Sequence, residues 1–128
     1  MKELAGILDT ARRSGVKIIA SAHDFHATPP VATLLRAILR AQGAGADICK
    51  LAAHADTPVA LARLLGVLGR KQPLPLSVMG MGRFGKISRL LFAQAGSVLN
   101  YGYLDAPNAN GQWEARLLKK RLAELTES

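Results

Sequence analysis

Helical patterns and short apolar runs alternate along this sequence, and the alternation limits the possible folds more than any other feature. Apolar residues at helical spacing predict an opening helix over 4–11. Four cycles follow, each with a short apolar run and then another helical stripe. The apolar runs are 16–22, 47–52, 76–79 and 97–102, and the stripes that follow them are 31–39, 59–68, 87–93 and 113–125.

These short, nearly continuous apolar runs are typical of strands that are buried on both faces. Strands that are joined by crossover helices must run parallel. The sequence therefore predicts an α/β fold of parallel βα units, with four strands and about five helices. With 128 residues, the candidates are an open doubly wound sheet or half of a (β/α)₈ barrel, since a complete barrel takes about 250 residues.

Composition and charge exclude several classes of function. Hydrophobic residues make up 49% and charged residues 20%, as in ordinary globular proteins. No apolar run approaches the roughly 18 residues of a membrane span, and the first residues lack a signal peptide's features, so we expect a cytoplasmic protein without membrane contact. The net charge of +8 could attract nucleic acid, but the basic residues are scattered and aromatics reach only 5%. We therefore expect no nucleic-acid partner.

Cysteine and histidine spacing gives no sign of a metal centre. Cys49 is the only cysteine, so an internal disulfide is impossible, and we expect a buried free thiol. The spacing of His23, His26 and His54 does not match a compact zinc motif. No metal is predicted.

Lys50 has the most unusual position, inside the second apolar run. Lysine is rarely buried without a partner or a purpose. Burial disfavours the charged form of an amine, and a neutral amine can attack a ketone to form an imine. The alternative is a lysine at a strand end whose side chain reaches water.

Two further side chains follow predicted strands, where catalytic groups collect in parallel βα folds. His23 follows the first strand by one residue and shares the parity of Ile19 and Ser21, so it could exchange protons beside Lys50. Arg89 lies in the helix after the glycine-rich segment 79–85 and could clamp a carboxylate. The alternatives are a histidine bonded to nearby backbone and a surface arginine.

Four groups of motifs occur in order along the chain: SAHDFHATP at 21–29, GADICKLA at 45–52, MGMG with ISR at 79–82 and 87–89, and GS, YG and GQ at 96–97, 101–102 and 111–112. Together they resemble strands five to eight of the type I 3-dehydroquinate dehydratases. The resemblance covers essentially the whole chain. It implies the C-terminal half of a (β/α)₈ TIM barrel, so we expect a single partial domain over 1–128.

The resemblance also implies an activity, the dehydration of 3-dehydroquinate to 3-dehydroshikimate in shikimate biosynthesis, without a cofactor or metal. Lys50 would form the Schiff base and His23 would transfer protons. Arg89 would pair with the substrate carboxylate. The remaining residues assigned to the substrate site are Gln112 and Asn108 in the closing loop, the apolar wall of Phe25, Met79, Met81 and Tyr101, and Ser21.

The chain departs from the family pattern in two ways. Where the family has a serine and a proline before the glutamine, this chain has Asn108, Ala109 and Asn110. It also lacks the acidic and arginine residues of the first half. Because a half barrel leaves open sheet edges, we expect a homodimer or association with a missing N-terminal half. A non-catalytic half-barrel remnant or interaction domain, and another Schiff-base lyase such as an aldolase, stay open.

Overall fold

The computed structural model describes residues 2–126, so the predicted domain range of 1–128 extends outside the described residues at both ends. Helices and strands alternate through the first three βα units, as the sequence predicts. In chain order the elements are α1 (Lys2–Arg13), β1 (Ile19–Asp24), α2 (Val31–Gly43), β2 (Ile48–His54), α3 (Pro58–Leu68), β3 (Leu76–Met81), α4 (Gly85–Gln94), β4 (Gly102–Tyr103), β5 (Trp113–Glu114) and α5 (Ala115–Thr126).

Three strands form one parallel sheet in the order β1-β2-β3, which confirms the predicted parallel arrangement. Ser21 of β1 lies beside Lys50, and His23 lies beside Ala52. On the other side of β2, Lys50 lies beside Ser77. This register places the lysine strand between its two neighbours at the centre of the sheet.

The two faces of the sheet carry different side chains. One face packs against the helices and holds the main core, which includes Leu34, Ile38, Leu51, Leu64, Val67, Val78 and Phe92. The opposite face carries a small buried cluster of Ala52, Met79 and Met81, against which Tyr101 and Ala109 pack. Because side chains alternate along a strand, Lys50 lies on this second face, which corresponds to the interior of a barrel.

The first strand differs from the predicted run of 16–22, because it begins at Ile19 and continues to Asp24. The Asp47 carboxylate accepts a hydrogen bond from the N–H of Ile18 at 2.7 Å, so a side chain takes the place of a strand partner there. The strand ends where the Asp24 carboxylate accepts hydrogen bonds from the N–H groups of His26 and Ala27, both at 2.9 Å.

The predicted fourth strand at 97–102 is wrong in its bounds. The segment runs beside β3 but is held mainly through side chains, because Ser97 Oγ accepts from the N–H of Val78 at 2.9 Å and Ser77 Oγ donates to the carbonyl of Leu99 at 2.8 Å. The strand β4 begins only at Gly102 and pairs in parallel with β5. Residues 104–112, between β4 and β5, form an irregular loop.

Local chemistry explains where α3 begins. The side chain of Thr57 accepts a hydrogen bond from the N–H of Ala60 at 3.1 Å, and Pro58 occupies the first turn. A hydroxyl cap followed by proline satisfies the unpaired N–H groups of a helix start.

Within residues 2–126, no helix is both long enough and apolar enough to cross a membrane.

Candidate active site

A cavity of about 330 Å³ lies on the Lys50 face of the sheet. It gathers every predicted site residue except Ser21, together with two alanines that the sequence did not single out. Its lining is His23, Phe25, Lys50, Ala52, Met79, Met81, Arg89, Tyr101, Asn108, Ala109 and Gln112. The strands of a parallel sheet thus bring residues that are far apart in sequence into one site.

Lys50 is half-buried in the middle of β2. Its Nζ lies 4.6 Å from the centre of the Tyr101 ring. The methionines and Ala52 form the buried wall of the cavity, and no aspartate or glutamate is among the lining residues. The amine therefore lies in a largely apolar pocket with an aromatic ring as its neighbour.

His23 lies within β1, as its fifth residue, and does not follow the strand as the sequence predicted. The strand continues past it because Asp24 still pairs with Ala53 of β2. The imidazole stacks on Phe25 with ring centres 5.7 Å apart and planes inclined by only 2°. Both rings are exposed, since β1 is the edge strand of the sheet. The register places His23 two residues further along the sheet than Lys50.

Arg89 is buried, with 4% of its surface exposed, so the alternative of a surface arginine is wrong. Its Nε has no hydrogen-bond partner, and Nη1 makes a long hydrogen bond to the Met79 sulfur, at 3.8 Å. Burial lowers the pKa of this guanidinium from its ordinary value, yet arginine keeps its charge at neutral pH. A buried cation without a carboxylate partner is costly unless a ligand supplies the anion.

The loop that closes the cavity is tied together by Gln112. Its Oε1 accepts hydrogen bonds from the N–H groups of Asn108 at 2.7 Å and Ala109 at 3.2 Å. Gly111, with φ +86°, lies against Gly85 so closely that a Cβ there would fall 2.8 Å from the Gly85 Cα. The loop is therefore seated on the first residue of α4, four residues before Arg89.

Sequence reasoning missed a network that holds the glycine-rich segment after β3. His54 is the last residue of β2, beyond the predicted apolar run of 47–52, and its Nδ1 lies 2.6 Å from Asp56 Oδ2. Asp56 Oδ1 accepts from the N–H of Arg83 at 2.9 Å. This backbone hydrogen bond first, and His54 second, hold the pKa of Asp56 below its ordinary value. His54 has the same parity as Lys50, so the sequence alone could have indicated that the two side chains lie on one face of β2.

Two predicted residues lie elsewhere. Ser21 borders a separate groove between β1 and α2, which also contains Arg40, although its pairing with Lys50 places its side chain on the Lys50 face. Cys49 is a buried free thiol, as predicted, and burial raises its pKa.

No group of three or more histidine, cysteine, aspartate or glutamate side chains within 2–126 could hold a metal ion.

Parallel βα units, a lysine set inside a strand on the interior face, and a closing loop between β4 and β5 define half of a lysine-bearing (β/α)₈ barrel. Similarity to known proteins identifies the family. The chain belongs to the type I 3-dehydroquinase family, whose profile matches residues 2–128. The predicted fold class is thereby confirmed.

Relatives and solved structures agree with this assignment. The 3-dehydroquinate dehydratase of Klebsiella pneumoniae is 33% identical over 114 residues, which are 86% of this chain and 45% of that protein. The crystal structure of the Geobacillus kaustophilus 3-dehydroquinate dehydratase superposes with a TM-score of 0.88 at 29% identity, covering 96% of this chain and 49% of that one. A Clostridium difficile type I enzyme with covalently modified comenic acid gives a TM-score of 0.85 at 29% identity, over 95% and 50%. The chain thus spans about half the length of its relatives.

Proposed function

We propose that this chain is the lysine-bearing half of a 3-dehydroquinate dehydratase, which removes water from 3-dehydroquinate through a Schiff base on Lys50. The observation that carries the proposal is the single cavity that combines Lys50, His23 and the buried Arg89, whose Nε has no hydrogen-bond partner. An amine, a proton-transfer group and an anion-binding group are what imine chemistry on an anionic ketone requires.

The reaction begins when Lys50 Nζ attacks the substrate ketone. The carbonyl oxygen leaves as water, and a C=N bond replaces the C=O bond. The imine withdraws electrons from the neighbouring carbon, so that carbon loses a proton and an enamine forms. The enamine electrons then return and expel the β-hydroxyl group, which leaves as water after it takes a proton. A second water hydrolyses the imine and frees Lys50 and the conjugated enone.

His23 is the proposed carrier of these protons. Its imidazole reaches the same cavity from the neighbouring strand, so it can serve the carbinolamine oxygen and the departing hydroxyl group in turn. The stacked Phe25 limits the ring's freedom to turn away. No cofactor or metal has a part in this scheme.

Arg89 and the closing loop are proposed to bind the substrate. The Arg89 guanidinium would form two parallel hydrogen bonds with the substrate carboxylate. Gln112 uses its oxygen within the loop, which leaves its amide N–H groups for substrate hydroxyls beside Asn108. Met79, Met81 and Tyr101 line the cavity on the same side. A substrate contact through Ser21 stays a prediction, because that residue lies outside the cavity.

Completion of the open barrel belongs to the proposal. The exposed His23 and Phe25 lie at the open side of the sheet, and water entering there would promote side reactions such as premature hydrolysis of the imine. The site would therefore work once that side is covered, by a second copy or by the four missing βα units. We place the reaction in the cytoplasm, without a nucleic-acid or membrane partner.

An activity assay tests the proposal. The chain is co-expressed with the half of the Geobacillus kaustophilus enzyme that it does not match, and enone formation from 3-dehydroquinate is followed by ultraviolet absorption. We expect turnover that Lys50→Met abolishes, whereas Lys71→Met, the same substitution at an exposed lysine, retains it. Turnover that survives in Lys50→Met, or none in a stable complex, would overturn the proposal.

A non-catalytic role is the second candidate, and the absence of any aspartate or glutamate from the cavity lining favours it for the half barrel alone. On that view the fold persists as an interaction domain, and the cavity binds 3-dehydroquinate weakly without imine formation. Another Schiff-base lyase, such as an aldolase, would instead form the imine with other keto acids. Turnover of such a keto acid in the same assay would identify another lyase, and turnover of none would indicate a non-catalytic domain.

A further inference from the structure

His54 and Asp56 form a hydrogen-bonded pair just outside the candidate active site. His54 lies four residues after Lys50, on the same face of β2, but it is not among the residues that line the cavity. Its Nδ1 lies 2.6 Å from Asp56 Oδ2. Because an ionised carboxylate can only accept a hydrogen bond, Nδ1 carries the proton and donates. No step of the proposed reaction uses this pair, so its role lies elsewhere.

Three loops at the carboxyl ends of the strands meet at this pair. The backbone N–H of His54 donates to the Ala27 carbonyl at 3.2 Å, and the His54 carbonyl accepts from the Thr28 hydroxyl. Ala27 and Thr28 belong to the loop after β1. Asp56 lies in the loop after β2 and accepts from the N–H of Arg83, in the loop after β3, at 2.9 Å. One pair of side chains therefore joins the loops of three βα units.

The turn after β3 lies directly against the imidazole ring. The φ of Gly82 is +79°, and a Cβ there would fall 2.5 Å from His54 Cε1 and 2.7 Å from its Nδ1. Only glycine combines this backbone conformation with so close an approach. The ring thus fixes one side of the turn, and the carboxylate of Asp56 fixes its Arg83 N–H. Loss of either side chain would leave the turn room to shift.

The same turn supports the closing loop. The backbone of Gly111 lies against it at two points, because a Cβ there would fall 2.8 Å from the Gly85 Cα and 3.6 Å from the Gly82 carbonyl oxygen. Gly111 precedes Gln112, whose Oε1 ties the loop of 108–112 together. A shift of the turn would therefore displace the loop that closes the cavity.

We infer that His54 and Asp56 are positioning residues for substrate binding, which fix the turn after β3 and, through it, the closing loop and the start of the helix that carries Arg89. The inference rests on the proposed function for the substrate, but its geometric part is tested without substrate. The Asp56 side chain is 55% exposed, and exposed ion pairs contribute little to global stability, so the sheet should survive loss of the pair. Lys50 is held by β2 itself, so the pair should affect substrate affinity and not the reactivity of the amine.

Amide hydrogen exchange of this chain alone, followed by NMR, tests the geometric part. His54→Leu removes the Nδ1 donor and should speed exchange of the Asn108 and Ala109 N–H groups at least fivefold, while the amide of Leu51 in β2 keeps its protection. His54→Asn retains an N–H donor near the position of Nδ1 and should stay within about twofold of the wild type. His26→Leu replaces an exposed histidine of the loop after β1 and, as the control, should leave all these rates unchanged.

Asp56→Ala disrupts the pair from its other side and provides the same test if His54→Leu does not fold. It removes the acceptor for both Nδ1 and the Arg83 N–H, so Asn108 and Ala109 should again exchange at least fivefold faster. The double variant should be no more than about twofold faster than Asp56→Ala alone, because the two side chains act as one unit. Faster exchange that is confined to Arg83, or closing-loop exchange that stays at the wild-type rate, would overturn the inference.

Borohydride trapping in the co-expressed complex described above tests the consequence for the substrate. In His54→Leu we expect the 3-dehydroquinate concentration for half-maximal trapping on Lys50 to rise at least fivefold, because the closing loop and Arg89 bind the substrate. The limiting rate of trapping should stay within about twofold, and His26→Leu should change neither quantity. A lower limiting rate at an unchanged half-maximal concentration would contradict the positioning role. A wild-type complex that forms no adduct would contradict only the proposed function, because the exchange results do not depend on substrate.

Discussion

Replacing Arg89 with methionine separates its cost to folding from its value in binding. In the free protein its Nε–H is buried without an acceptor. An unsatisfied buried polar group costs about 1–3 kcal/mol. Methionine keeps an unbranched apolar stem beside Met79 and removes both the charge and the unpaired donor. We therefore expect Arg89→Met to raise the free energy of unfolding by about 2 kcal/mol, or Tm by about 8 °C for a chain of this size.

Binding should change in the opposite direction. Truncating one partner of a buried charge pair costs about 3 kcal/mol, which corresponds to about 150-fold weaker binding of 3-dehydroquinate. Circular dichroism melts and isothermal titration calorimetry on the same samples give both quantities. Arg116→Met, an exposed arginine on α5, controls for the loss of one positive charge. An Arg89→Met variant whose Tm is at or below that of the wild type, or that binds the substrate equally well, would refute the role of Arg89 as a buried cation that pairs with the substrate carboxylate.

Two further predictions concern the closing loop and pH. Gly111→Ala should lower the free energy of unfolding by about 1–3 kcal/mol and weaken substrate binding at least tenfold, because the φ of Gly111 is +86° and the new Cβ would meet Gly85. Gly96→Ala is the control: the φ of Gly96 is +107°, but a Cβ there would meet nothing within 4 Å, so substrate binding should be retained. The pKa of Asp56 is lowered, so its stabilising effect is present above about pH 4 and is lost as pH falls through the folded-state pKa. Urea unfolding at pH 7 and pH 3 should therefore show a smaller difference for Asp56→Asn than for the wild type, and an unchanged difference for Asp105→Asn.

The order of the elements as far as β4 could be predicted from the sequence because buried parallel strands leave a strong local pattern, whereas β5, at the start of the predicted helix of 113–125, was missed. The parity of His23 with Ser21 was predicted from the sequence, and the pairing of Ser21 with Lys50 places His23 and Lys50 on one face. The bounds of β1 and β4 could not be predicted, because Asp47, Ser77 and Ser97 replace backbone pairing with side-chain hydrogen bonds. Such replacements depend on residues that are distant in sequence.

The burial of Arg89 could not be predicted from the helix that carries it. A helical arginine after a glycine-rich loop is exposed or buried according to what packs over it, and here the cover comes from Met79 and the loop seated by Gly111. The same holds for Gln112, whose side chain was assigned to the substrate alone but also ties its own loop. The contact between Gly85 and Gly111 joins residues 26 positions apart, so no local pattern reveals it.

Borohydride trapping tests the central claim most directly. The completed protein is incubated with 3-dehydroquinate and sodium borohydride, and intact mass followed by peptide mapping locates any reduced adduct. We predict one adduct per chain, on Lys50, and none in Lys50→Met, while Lys71→Met is labelled like the wild type. An adduct on another lysine, or no adduct at saturating substrate, would contradict Lys50 as the Schiff-base residue.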